Sequence, residues 1–403
     1  MLKIVSDYLD KCQFFLSCLK LDFVLYLFLF FLCSCSNKVL TAYEIPPKII
    51  ENVRKNDTVC NSIEEAIKHK QTITKLRLYK TYISIQDFEN ICNFNNLEDL
   101  DFQFCDLDSI PTSIKKLKKL ERIGIRGSNL TSIPKEIGQC ENLKDVNFAN
   151  NKLSTIPKEL SNLKKMEYLD LGHNQIEVLP DEICILTNLN TLYLGDNKLT
   201  YLPLEFGKLK KLRELLVYKN QLKKLPRSFG KLEKLFRLNV SDNELKSIGF
   251  SFYKLNDLWE LNFKNNKIDK FSSSFSKKNS IHEINLSNNE IKKISNGIRK
   301  LLWLTSLKLS QNQISELPKG LGNLNDLNSL NISNNKIIIL PVELSELNNL
   351  ERILINGNKN INIPIEFANS KSIKYITIDK EDYKSKKKFE KINKNFEFYS
   401  VNE

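Results

Sequence analysis

Apolar residues recur along this chain in a fixed phase. From Leu143 they fall at Leu143, Val146, Phe148, Leu153 and Ile156, with Asn151 and Pro157 in set places among them. The same spacing returns at Met166, where Leu169, Leu171, Ile176 and Leu179 are apolar and Asn174 and Pro180 keep step. Further units begin at Leu189, Leu212, Leu235, Leu258, Ile281, Leu304, Leu327 and Leu350, earlier ones at Ile73, Leu97 and Leu120. A last, incomplete strand carries Ile373, Ile376 and Ile378. The pattern LxxLxLxxNxLxxLP therefore runs through thirteen units, 23 residues apart from Leu97 onward. Such a period marks stacked supersecondary units sharing one continuous core, not a string of separate domains.

Each position predicts a placement. Apolar residues at the first, fourth and sixth positions alternate with polar ones, so a short strand turns one face inward. Fourteen such strands would pair in parallel. The amide at the ninth position both donates and accepts, which suits it to backbone groups turned into the interior. Ten consecutive units keep it, from Asn151 to Asn358, while Thr81, Cys105 and Ser128 stand there in the first three and are expected to do part of its work. The second half of a unit, such as Pro157 to Leu163, has apolar residues three apart. That spacing predicts a short helix or 3₁₀ turn returning along the convex side, with Pro fixing the entry angle. Units from Leu235, Leu258 and Ile281 lack this Pro, and Lys278 replaces a recurrent Leu, so the weakest junction is expected there.

The pattern resembles the leucine-rich-repeat superfamily, in the class marked by LPxxLxxLxxL that bacterial repeat proteins share with Ras-scaffold-like eukaryotic ones. The resemblance covers about residues 73–378. It implies an α/β repeat solenoid, a horseshoe with a parallel concave β-sheet and short helical or 3₁₀ convex segments. It further implies a monomeric, non-catalytic, cofactor-free scaffold that docks a protein on its concave face.

The ends carry other signals. Residues 23–33 form an apolar run of signal-peptide length that ends in Leu32, Cys33, Ser34 and Cys35. This resembles the lipobox of bacterial lipoproteins and implies a signal peptide over 1–35, lipid on Cys35, and a place in the bacterial cell envelope at the outer membrane or surface. Cys33 departs from the usual lipobox, and an uncleaved apolar anchor is the other reading. A soluble product retaining Met1 would instead suit an intracellular scaffold that bridges signalling proteins in the cytoplasm. Residues 36–72 are expected to form a linker and front cap, with a helix starting where Ser62 and Glu65 have capping-box spacing. Residues 379–403 form a basic tail whose Phe389, Phe396 or Phe398 would cover the last strand. Cys60 and Cys92 are candidates for a bridge between cap and first unit.

Composition narrows the function. The net charge of +13 invites a nucleic-acid reading, but placement opposes it. Concave cations Lys75, Arg77, Arg122 and Arg126 alternate with Asp99, Asp101 and Asp145, whereas phosphate binding wants a continuous basic track. The nine cysteines form no CxxC pair, and His69, His173 and His282 lie far apart, so no metal site is expected. No phosphate loop, GxSxG or HExxH occurs.

The outward columns are the third, fifth, seventh and eighth positions. Toward the back they are small and amidic, as at Asn239, Ser241, Asn262, Asn285 and Ser310. Three consecutive units differ, presenting Tyr168, Asp170, His173, Tyr193, Asp196, Glu214, Leu216, Tyr218 and Lys219. Exposed aromatics rimmed by charge have the composition of interaction hot spots, so this patch is the candidate partner site.

Overall fold

The computed structural model describes residues 58–248, 254–271, 275–276 and 278–379, with the backbone of Glu397–Val401. The targeting segment with Cys35, the linker before residue 58, and Phe389 and Phe396 lie outside the described residues.

Among the described residues, sixteen parallel strands pair in chain order into one sheet. Fourteen are the expected ones, from Lys75–Tyr79 to Tyr375–Asp379. Two more flank them: Val59–Cys60 pairs ahead of the first unit, and Glu397–Val401 pairs beyond Tyr375–Asp379. A sheet edge leaves backbone donors and acceptors unpaired, so each flanking strand moves that edge outward from the repeats. Front capping follows the local signal. Helix α1 (Ile63–Lys68) starts where Ser62 Oγ accepts the Glu65 N–H at 3.2 Å. Helix α2 (Ile85–Ile91) forms the first unit's return, closed by a capping box of Ser84 and Asp87. Later returns tighten to 3₁₀ turns such as Lys158–Asn162 and Asp181–Ile185, each entered from a Pro with φ near −65° (−66° and −63°). Proline's ring presets that angle. Inward residues such as Leu169, Leu192, Leu215 and Leu238 are fully buried.

The asparagine ladder ties each unit to the one before it. Asn197 Nδ2 donates to Leu171 O at 2.9 Å and to Leu194 O at 3.1 Å, while its Oδ1 accepts the Ile176 N–H at 2.9 Å. Asn358 repeats the arrangement with Ile332, Ile355 and Ile337. Substitutes in the first units do less. Cys105 Sγ reaches Leu78 O at 3.6 Å, but the buried Ser128 Oγ has no hydrogen-bond partner among the described residues. The expectation for Ser128 fails because its hydroxyl is too short to span the gap an amide crosses.

The eighth position is a corner, not a plain outward strand site. His173, Asp196, Lys219, Asp242 and Asn265 all have φ between 48° and 57°. This left-handed region is sterically costly for most side chains and least so for Asn, Asp and His. The recurring Asn and Asp in this column therefore have a backbone reason.

An aromatic column went unread in the sequence. Phe236, Trp259 and His282 occupy the second position of the three units that lack Pro. Their rings stack along the solenoid, Phe236 on Trp259 at 5.9 Å and Trp259 on His282 at 3.4 Å, with Trp303 beyond at 6.4 Å and the Arg213 guanidinium 6.0 Å over Phe236. On the convex side of the same units, Lys270–Phe271 pairs with Lys293–Ile294 in a second small sheet. Ser295 stands where Pro would, and its N–H donates to Phe271 O at 3.2 Å. A proline there has no donor to give.

Candidate functional site

The candidate patch lies on strands Tyr168–Asp170, Thr191–Tyr193 and Glu214–Leu216. Asp170 pairs in register with Tyr193, and Tyr193 with Leu216, so these three share one row across the concave face. Alternation along each strand sends Leu169, Leu192 and Leu215 into the core and their neighbours outward.

Two clusters result. Tyr168 and Tyr193 meet edge to face, ring centres 5.6 Å apart and planes at 77°. The Tyr193 hydroxyl donates to Glu214 Oε2 at 2.5 Å, and Glu214 Oε1 accepts from Arg237 at 3.3 Å. In the second cluster the Tyr218 ring lies over Gly195, where a Cβ would come within 2.4 Å of Cε1. The Tyr218 hydroxyl is 3.4 Å from His173 Nε2, and His173 Nδ1 is 2.9 Å from Asp196 Oδ2. Lys219 projects from the adjoining corner and is exposed.

The aromatics are less exposed than expected. All three tyrosines are half-buried, because each ring packs on a neighbouring strand and each hydroxyl finds an intramolecular partner. Asp170 also serves its own backbone, since its Oδ1 accepts the Gly172 N–H at 2.9 Å. Asn147, Asn239, Asn262, Asn285 and Asn331 do the same at the fifth position of their units. The column that looked like bland surface is thus a row of backbone caps. Tyr193 and Leu216 occupy that column and cannot cap.

Other charges are committed internally. Arg126 pairs with Asp101 at 3.3 Å, and Arg122 bridges Asp99 at 3.7 Å and Asp145 at 3.5 Å. Burial raises the Asp99, Asp170 and Glu260 carboxyls above their usual range and pushes Asp145 up to about 6, against the pull of Arg122. The folded chain then holds a proton on Asp145 that the unfolded chain has released, so the contribution of this group to stability falls as pH rises from about 4 to 6. A carboxyl-carbon NMR titration should place Asp145 near pH 6, moving higher in Arg122→Gln. A midpoint near 4 would contradict this.

Cys60 and Cys92 are free, buried thiols, so the candidate bridge is not formed; burial raises Cys60 and pushes Cys92 to about 11. Among the described residues no group of three His, Cys, Asp or Glu side chains could hold a metal, and no helix is long and apolar enough to cross a membrane. A further exposed aromatic group, Tyr79, Tyr82 and Phe104, lies near the front, with Tyr82 70% exposed and Lys80 Nζ 5.2 Å from the Tyr79 ring centre.

A family profile described as leucine-rich repeat region matches residues 135–219, and one described as leucine rich repeat matches 303–324. The fold is similar to that of a leucine-rich-repeat protein of Leptospira interrogans, with 26% identity and a TM-score of 0.72, covering 85% of this chain and all (100%) of that one. The chain is a leucine-rich-repeat protein. Proteins of this family are in general non-enzymatic, protein-binding scaffolds. Two further solved structures share the fold alone. One is a plant peptide hormone receptor in complex with RGF2, at 24% identity and TM-score 0.65, covering 80% of this leucine-rich-repeat chain and 57% of that one. The other is the Drosophila Toll–Spatzle complex, at 18% and 0.66, covering 85% and 54%. No curated protein matches the leucine-rich-repeat chain significantly in sequence.

Proposed function

We propose that this leucine-rich-repeat protein is a monomeric, non-catalytic scaffold that docks a protein through Tyr168, Tyr193, Leu216 and Tyr218, with His173, Asp196, Glu214 and Lys219 at the rim. The observation that carries the reading is the fifth-position column. There the neighbouring units place a capping Asn or Asp, while Tyr193 and Leu216 give up that cap and put apolar surface at the centre of the sheet. Departures from a local structural rule that neighbouring units keep are concentrated at functional sites. The rings are already held by Glu214, His173 and Gly195, which lowers the ordering cost of binding. Photo-crosslinking tests it. A benzoylphenylalanine in place of Leu216 should give one discrete protein adduct, and the same group in place of Ser310 should not. Equal adducts from both positions would overturn the reading.

The scaffold is further proposed to sit in a bacterial cell envelope, anchored by lipid on Cys35. The apolar run ending in Leu32–Cys33–Ser34–Cys35 supports this, as does the likeness to a Leptospira protein. Metabolic labelling with palmitate should mark the wild type and leave Cys35→Ser unlabelled. Equal labelling of both would reject Cys35 as the anchor.

A further inference from the structure

The proposed docking surface continues past the tyrosines, and its charge is opposite to that of the chain. Across the outward columns of the six units from Met166 to Ile281 there are six acidic side chains and three basic ones, on a protein of net charge +13. Three of the six acids lie on one row. Glu214, Arg237, Glu260 and Glu283 occupy the third position of four consecutive units and pair in register. Arg237 is shared, reaching Glu214 Oε1 at 3.3 Å and Glu260 Oε2 at 2.9 Å. Glu283 is exposed, and among the described residues no cation pairs with it. Like charges directly opposite on paired strands repel, and Glu283 together with burial holds the Glu260 carboxyl above its usual range. A shallow depression of about 110 Å³ opens between these two strands, lined by Glu260, Asn262, Glu283, Asn285 and Ser306. Lys308 closes its far side without an ion pair to either glutamate.

We propose that the occupant of this surface is an extended protein segment bearing lysine or arginine, whose apolar end rests on Tyr168, Tyr193 and Leu216 and whose basic side chain enters the depression between Glu260 and Glu283. This rests on the docking role of the tyrosine patch. From Tyr193 to Glu283 the track crosses four strand spacings, about 19 Å, which an extended segment covers in roughly six residues. An incoming cation would answer Glu283 and share Glu260 with Arg237, and desolvation there strengthens the pairing.

The probes are three fluorescein-labelled peptides, (Lys-Leu-Ser)₄, (Gln-Leu-Ser)₄ and (Glu-Leu-Ser)₄, titrated by anisotropy against the full chain. The lysine peptide should bind at least tenfold more tightly than the other two, despite the protein's positive charge. The double variant Glu260→Gln/Glu283→Gln should remove that preference, while the convex-side control Glu159→Gln/Glu182→Gln should keep it. No preference for lysine, or an unchanged preference in Glu260→Gln/Glu283→Gln, overturns the proposal. The docking role itself is separated by its own test. If loss of the tyrosines abolishes partner capture but Glu260→Gln/Glu283→Gln does not, the patch binds a protein and the basic segment is wrong.

Discussion

Replacing Asn197 by Leu is expected to cost the fold about 3 kcal/mol or more. Leucine matches asparagine in shape but can neither donate nor accept. The substitution leaves Leu171 O, Leu194 O and the Ile176 N–H without the partner each now has. Asn197 is only 8% exposed, so little water can replace those bonds. A buried backbone group without a partner costs roughly 1–3 kcal/mol. Two of the three groups belong to the preceding unit, so the damage spans a junction. The urea midpoint should fall sharply, and amide exchange should quicken first around Leu171 and Ile176. An unchanged midpoint would mean that the ladder carries no stability.

Trp259→Ala should be the next most damaging change, at about 2–3 kcal/mol. Burying a large aromatic and then truncating it costs roughly 3–5 kcal/mol in a closed core, and Trp259 is only half-buried. The loss would be local. Trp259 joins Phe236 to His282, and each solenoid unit holds only its neighbours. Those units lack the proline that fixes the convex return elsewhere, so the stack is expected to brace them. Exchange protection should drop in the units from Leu235 to Ile281 and persist from Leu97 to Leu212. Trp259→Phe should recover most of the stability. Uniform loss along the whole chain would contradict a local brace.

Fold and site were unequally legible in the sequence. The repeat placed all fourteen of its strands, because strand position follows from apolar phase alone. The flanking strand Val59–Cys60 was hidden, since two residues carry no periodicity. The patch residues could be named, because tyrosines in outward columns of small, amidic and charged residues are visible in one dimension. Their half-burial could not, since it depends on how Tyr218 covers Gly195 and how Glu214 reaches Tyr193 from the next strand. The roles of Arg237 and Glu260 were in principle readable: the third-position column alternates Glu214, Arg237, Glu260. The aromatic brace was readable the same way, by aligning the second position of every unit. That column belongs to neither the core pattern nor the concave face, so neither periodicity nor outward position singles it out.

The concave tyrosines are the centre of the proposed function, and one comparison tests them most directly. The triple variant Tyr168→Ala/Tyr193→Ala/Tyr218→Ala should keep its circular dichroism and a cooperative melt. Cross-strand surface pairs are worth only about 0.2–1 kcal/mol each. The protein captured through Leu216 by crosslinking should bind the wild-type chain and dissociate from the variant with affinity reduced at least thirtyfold. That corresponds to a hot-spot loss of about 2 kcal/mol or more. If the folded variant binds this partner as tightly as the wild type does, the tyrosines are ordinary surface and the docking site is elsewhere.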